Sequence, residues 1–133
     1  MRMLPRMLFA VGLAGSMVGP VLAQDADLAA QGEKVFKRCA ICHKIGEGAK
    51  NAAGPSLEGV IGRTAGTEEG FAYSKPMVEA GQAGLVWNDE TLFEYLADPK
   101  AMVKGTKMVF AGLKSEEDRH AVIAYIEANG GAM

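Results

Sequence analysis

Only two cysteines and two histidines occur in the 133 residues, and nowhere do apolar and polar residues alternate long enough to make a strand. Each shortage excludes something. Two cysteines three positions apart close almost no loop, so they cannot be the disulfide framework that holds many small exported domains together. A structural zinc site takes four ligands. Cys39, Cys42 and His43 stand together, but the other histidine, His120, is isolated far along the chain. Without strands there is no βαβ pattern, the usual setting of a redox dithiol. Basic residues are in the minority, 14 against 16 acidic, which argues against a nucleic-acid partner, since phosphate contacts require a basic face.

Long hydrophobic runs are also missing, except at the N-terminus. There Arg2 and Arg6 precede "MLFAVGLAGSMVGPVLA", which ends in the small-residue site Val21-Leu22-Ala23. This order predicts a cleaved secretory signal over residues 1–23, exported to the periplasm of a Gram-negative bacterium. The rival is a retained anchor, but a spanning helix wants roughly 20 apolar residues, and this run is shorter and holds Ser16 and Pro20. The expected mature domain, residues 24–133, loses two arginines and becomes more acidic, 12 basic against 16 acidic, or −4.

What is abundant is glycine, 17 in all. A small, loop-rich domain buries little surface and needs a further stabiliser, here most simply a bound group. "DLAAQGEKVFKRCAICH" reads as a helix, with Leu28, Gln31, Val35 and Cys39 near one face and Gly32 and Phe36 on the next stripe. From Lys44 to Ala83 glycines punctuate the chain and predict a loop wrapped around a large ligand. Helix returns at "WNDETLFEYLADP", with Asn88 as cap, Trp87 as staple onto Leu92, and Pro99 as stop. "KAMVKGTKMVFAGLK" predicts a short helical turn and then a loop. "SEEDRHAVIAYIEANGG" predicts a final helix capped by Ser115, with Val122, Ile123 and Ile126 as its apolar set. The fold class is all-α.

The chemistry lies in Cys39-Ala40-Ile41-Cys42-His43. A zinc site, a redox dithiol and a disulfide each leave part of it unexplained. Covalent attachment of haem c uses all of it. Residues at i, i+3 and i+4 of a helical turn share a face, so two sulfurs can reach one haem edge while the His43 ring faces the iron. The sixth ligand is less defined. His120 reads as a half-exposed helix residue. Among Met77, Met102, Met108 and Met133, Met108 stands in the loop "GTKMVFAGL", where spacing alone leaves ligation and core filling both open.

In order, "GEKVFKRCAICHKI", "GPSLEGVIGR", "FAYS", "WNDETLFEYLADPK" and "GTKMVFAGLK" resemble a class I cytochrome c of the mitochondrial cytochrome c and bacterial cytochrome c2 branch. The likeness covers nearly all of the expected mature chain. It implies a small single-domain fold with crossing terminal helices, and His43 and Met108 as axial ligands. It implies that the Pro55 carbonyl orients His43, that Tyr95 hydrogen-bonds near the Met108 sulfur, and that Arg63, Tyr73, Trp87 and Thr106 surround the haem propionates. Phe110 would cover the exposed edge, and Gly32 and Phe36 would meet Val122 and Tyr125 where the terminal helices cross. The chain departs from the mitochondrial pattern between Ser74 and Gly84, where it is a few residues longer, and at Lys104, where that loop usually has proline.

With both axial positions filled, the expected function is one-electron transfer and not enzymatic catalysis. Partners would be periplasmic faces of redox complexes: a bc1 complex, and a terminal oxidase or photosynthetic reaction centre. The alternatives are a cytochrome subunit or acceptor of a periplasmic dehydrogenase, or a ligand-binding or peroxidase-like haem protein with labile Met108. Lys100, Lys104, Lys107 and Lys114 occur with no acid among them and predict a positive docking rim. A monomer is expected, with no membrane insertion after signal cleavage.

Overall fold

The computed structural model describes residue 15 and residues 21–132. The expected signal segment therefore lies outside the described residues, apart from Gly15 and the backbone of Val21 to Ala23. Five α-helices follow among the described residues: α1 (Val21–Phe36), α2 (Lys75–Gln82), α3 (Asp89–Ala97), α4 (Pro99–Met102) and α5 (Glu116–Ile126), the last continued by a wider turn over Glu127–Gly131. Among the described residues, extended pairing is confined to one isolated bridge between Thr64 and Val86, and no helix is long and apolar enough to cross a membrane.

α1 and α5 cross and make the most extensive helix contact, and α3 packs on α5. At the crossing Gly32 lies against the Ala121 backbone, and the rings of Phe36 and Tyr125 are 5.0 Å apart. Val122, Ile123 and Ile126 are buried as the apolar pattern requires. Arg119 is buried too. Its guanidinium donates to the carbonyls of Leu113 and Lys114 and lies 4.2 Å from the centroid of Phe93.

The predicted caps form. Asn88 and Thr91 make a reciprocal capping box on α3, and the Ser115 hydroxyl accepts from Asp118 N at α5. Two expectations need correction. First, α1 ends at Phe36 and does not run through the cysteine motif. The Phe36 carbonyl accepts from both Cys39 and Ala40, each at 2.8 Å, and the ladder breaks into single turns. Second, the stretch from Lys44 to Ala83 is not all loop, because α2 lies inside it. Pro76 sits in the first turn, where no intrahelical N–H is needed, and Ser74 caps Met77 N. Gly84 (φ 104°) closes the helix, with Leu85 N donating back to the Ala80 carbonyl.

Where α3 begins beside the end of α5, the Asp89 and Glu127 carboxyls face each other closely enough to share a proton. That sharing, burial and the Asp89 charge push the Glu127 carboxyl up to about 7. The folded chain thus holds an extra proton between the ordinary 4.5 and about 7. This contribution is present below that window and lost as pH rises through 7. Glu127→Gln should therefore stabilise the protein above pH 7 by a few tenths to about 1 kcal/mol, the scale of surface charge pairs, with little effect at acid pH. Urea unfolding at acidic and at mildly alkaline pH checks this.

Candidate functional site

Beyond Phe36 the turn that carries the motif is closed by His43 N donating to the Cys39 carbonyl at 2.9 Å. That single α-type turn turns Cys39, Cys42 and His43 toward one cavity. Nδ1 of His43 lies 2.8 Å from the carbonyl oxygen of Pro55. A carbonyl only accepts, so Nδ1 carries the proton and Nε2 keeps its lone pair. Burial lowers the His43 pKa, the Pro55 bond opposes this, and the Arg63 charge lowers it further. The neutral ring is the form that ligates metal. Gly54 makes room for it: a Cβ there would stand 2.5 Å from the ring's Cε1. Burial pushes the Cys39 thiol up to about 11 against the opposing charge of Arg38. A thiol held protonated in this way is a poor redox nucleophile.

The second wall is the loop from Val103 to Gly112. The Tyr95 hydroxyl, delivered by α3 and buried, donates to the Met108 sulfur at 3.3 Å. Burial raises the Tyr95 pKa, with a Thr106 hydrogen bond opposing, so the phenol stays a donor. Thr106 Oγ1 also accepts from Met108 N at 3.3 Å. Lys107 Nζ ties the loop to the Ala72 carbonyl at 2.8 Å.

A polar corner completes the cavity. Arg63 donates to the carbonyls of Ser56 and Glu58 and to the Glu68 carboxylate, while the Tyr73 hydroxyl accepts from Glu68 N at 3.1 Å. Trp87 lies beside Tyr95, ring centroids 4.8 Å apart.

Cys39, Cys42, His43, Pro55, Arg63, Tyr73, Trp87, Tyr95, Thr106, Met108 and Phe110, the residues singled out from the sequence, all line this one cavity of about 350 Å³. The volume suits an organic ligand, and Leu57, Val60, Leu92, Leu96, Val122 and Ile126 supply apolar walls. Lys107 lines it, whereas Lys100, Lys104 and Lys114 do not; Lys114 Nζ instead donates to the Ala97 carbonyl. His120 is elsewhere, stacked on Phe93 at 4.5 Å. Among the described residues, no group of three or more His, Cys, Asp or Glu is placed to hold a bare metal ion. The donors here, one imidazole and one thioether facing a large apolar space with two thiols at its rim, fit a metal carried inside an organic ring. Sequence reasoning named Met77 only among the methionines and gave it no place, whereas it is buried and faces the cavity from α2; it missed Glu68. Neither carries a local signal, because both are brought in by the folding of the glycine-rich stretch.

The family model described as Cytochrome c matches residues 29–129. The chain is 53% identical to cytochrome c2 of Afifella marina over 104 residues, 78% of this chain and 84% of that protein. It is 48% identical to cytochrome c2 of Blastochloris viridis over 122 residues, 92% of this chain and 91% of that one. Among solved structures, cytochrome c2 from Rhodospirillum centenum superposes with a TM-score of 0.73 at 45% identity, covering 77% of this chain and 98% of the other.

Proposed function

The chain belongs to the cytochrome c family, and from that premise we propose that His43 and Met108 would both ligate the iron of a haem c that Cys39 and Cys42 would hold. The protein is a one-electron carrier with one covalently bound haem c, and it is not an enzyme. When bound, the haem supplies an Fe2+/Fe3+ couple, and histidine–methionine ligation raises its reduction potential. The observation that carries the ligand assignment is that one cavity receives both thiols, the His43 imidazole and the Met108 thioether.

The protein's own groups do the positioning. Pro55 fixes the His43 ring plane and tautomer. Tyr95 occupies one sulfur lone pair of Met108 and leaves the other for iron. Arg63, Tyr73, Trp87 and Thr106 would hold the propionates, and the apolar walls would exclude water. With His43 and Met108 both on the iron, no place would be left for substrate. Ile41 and Val109, 82% and 94% exposed, present apolar atoms within the motif and beside Met108, where a partner can approach. The test is the ferric holoprotein's weak far-red sulfur-to-iron absorbance band. Its absence would remove Met108 from the iron and favour the ligand-binding alternative.

The protein works in the periplasm between a donor such as a bc1 complex and an oxidase, a reaction centre or a dehydrogenase, docking through Lys100, Lys104, Lys107 and Lys114. Lys107 also braces the Met108 loop, so Lys100 and Lys104, both exposed, test the rim more cleanly. Lys100→Glu with Lys104→Glu should slow association with an acidic partner about tenfold at low salt, the difference fading as salt screens the field. Equal stopped-flow rates at low salt would count against the rim.

A further inference from the structure

The positive charge of Arg63 is claimed by the protein itself. Its NH1 donates to the Glu68 carboxylate at 2.6 Å and to the Glu58 carbonyl at 3.3 Å, and its NH2 donates to the Ser56 carbonyl at 3.0 Å. A guanidinium has five N–H donors, so these bonds leave Nε–H and one NH2 hydrogen. Arg63 lines the cavity, whereas Glu68 does not and pairs with it from behind. The two side chains are only 14% and 26% exposed. Among the described residues the other ion pair, Lys75 with Glu79, is longer at 3.7 Å and open to water, at 86% and 59% exposure.

We infer that Glu68 sets the reduction potential of the haem through Arg63, lowering it by cancelling the part-buried positive charge at the polar corner. The inference rests on the ligand reading above. Reduction adds one electron, Fe3+ becoming Fe2+, and removes one unit of positive charge from the centre. A nearby cation favours that change and a nearby anion opposes it. Glu68 is thus a positioning and charge-balancing residue. It touches neither ligand, and it acts by deciding how much of the Arg63 charge is left for the cavity. Partial burial keeps the effect from being screened away, as it would be at an open surface.

The test is a spectroelectrochemical titration of the holoprotein, with mediators passing the electron from the electrode. It compares Glu68→Gln, Glu68→Asp and Glu69→Gln with wild type. Glutamine keeps the shape and one acceptor for Arg63 but loses the charge. Aspartate keeps the charge. Glu69 is exposed, and only its backbone carbonyl is bonded, to Asn51, so Glu69→Gln is the same charge change without the pair. Glu68→Gln should raise the ferrous-to-ferric ratio at fixed potential about threefold, a midpoint rise of about 28 mV at 59 mV per tenfold for one electron. Glu68→Asp and Glu69→Gln should each move it by less than half of that. An unmoved midpoint in Glu68→Gln overturns the inference. So do equal shifts in Glu68→Gln and Glu68→Asp, the mark of a merely structural clamp, or an equal shift in Glu69→Gln, the mark of general surface charge. The far-red band separates the two levels: its absence from wild type overturns the ligand reading, whereas a flat midpoint with the band intact overturns only the role of Glu68.

Discussion

Met108→Ala is expected to abolish the far-red ferric band and to lower the midpoint potential by on the order of 100 mV or more, within the roughly 0.8 V range that axial ligands command. The reason is specific. The loop places one sulfur at the cavity, held by Tyr95 at 3.3 Å, and no other imidazole or thioether is held in the same way. His120 is stacked on Phe93 away from the cavity. Met77 also faces the cavity, but it is buried in the core from α2 and has no hydroxyl donor like Tyr95. The iron should then bind added cyanide or imidazole much faster than wild type. A variant that keeps both the band and its resistance to added ligands would show that Met108 is core filling. Tyr95→Phe is the companion measurement: it removes the donor but keeps the sulfur, so the band should persist.

The second large effect concerns stability. In an exposed helix interior, replacing glycine with a residue bearing Cβ usually helps, by up to about 1 kcal/mol for alanine. At Gly32 the sign reverses. A Cβ there would overlap the carbonyl oxygen of Ala121 and lie 2.8 Å from Cβ of Tyr125, and a backbone atom of a packed helix cannot step aside. Gly32→Val should cost about 3 kcal/mol by forcing α1 away from α5, a large part of the 5–15 kcal/mol that holds a domain together. Tm should fall by at least about 10 °C. Ala30→Val, on the exposed side of the same helix, should cost well under 1 kcal/mol. Thermal melts of the two holoproteins decide it, and equal costs would mean that the helices do not depend on that close approach.

Legibility followed the range of the interactions involved. Asn88 and Ser115 were readable as caps because a cap bonds within three residues of itself. The apolar set Val122, Ile123 and Ile126 was readable because helical periodicity reports burial directly. α2 was not, because Pro76, Gly81 and Gly84 are also what a loop contains. Gly81 is there because a Cβ would overlap the Ala65 carbonyl oxygen, and that contact leaves no trace in the local pattern. The end of α1 was misplaced for a related reason. The motif residues continue to hydrogen-bond in turns, and a sequence pattern does not separate such turns from one more turn of helix. Arg119 stands in a string of charges, yet it is buried by two backbone carbonyls and the Phe93 ring.

By itself the sequence determined the cofactor chemistry and the helical class, since two thiols and an imidazole within five residues and a set of capped amphipathic segments are local facts. The tertiary structure decided how the distant groups converge. It set the Pro55 carbonyl on His43, the Tyr95 hydroxyl on the Met108 sulfur, and the Glu68 carboxylate on Arg63. Those contacts depend on where loops of glycine-rich chain come to rest, and loop paths are set by packing against the rest of the molecule and not by their own residues.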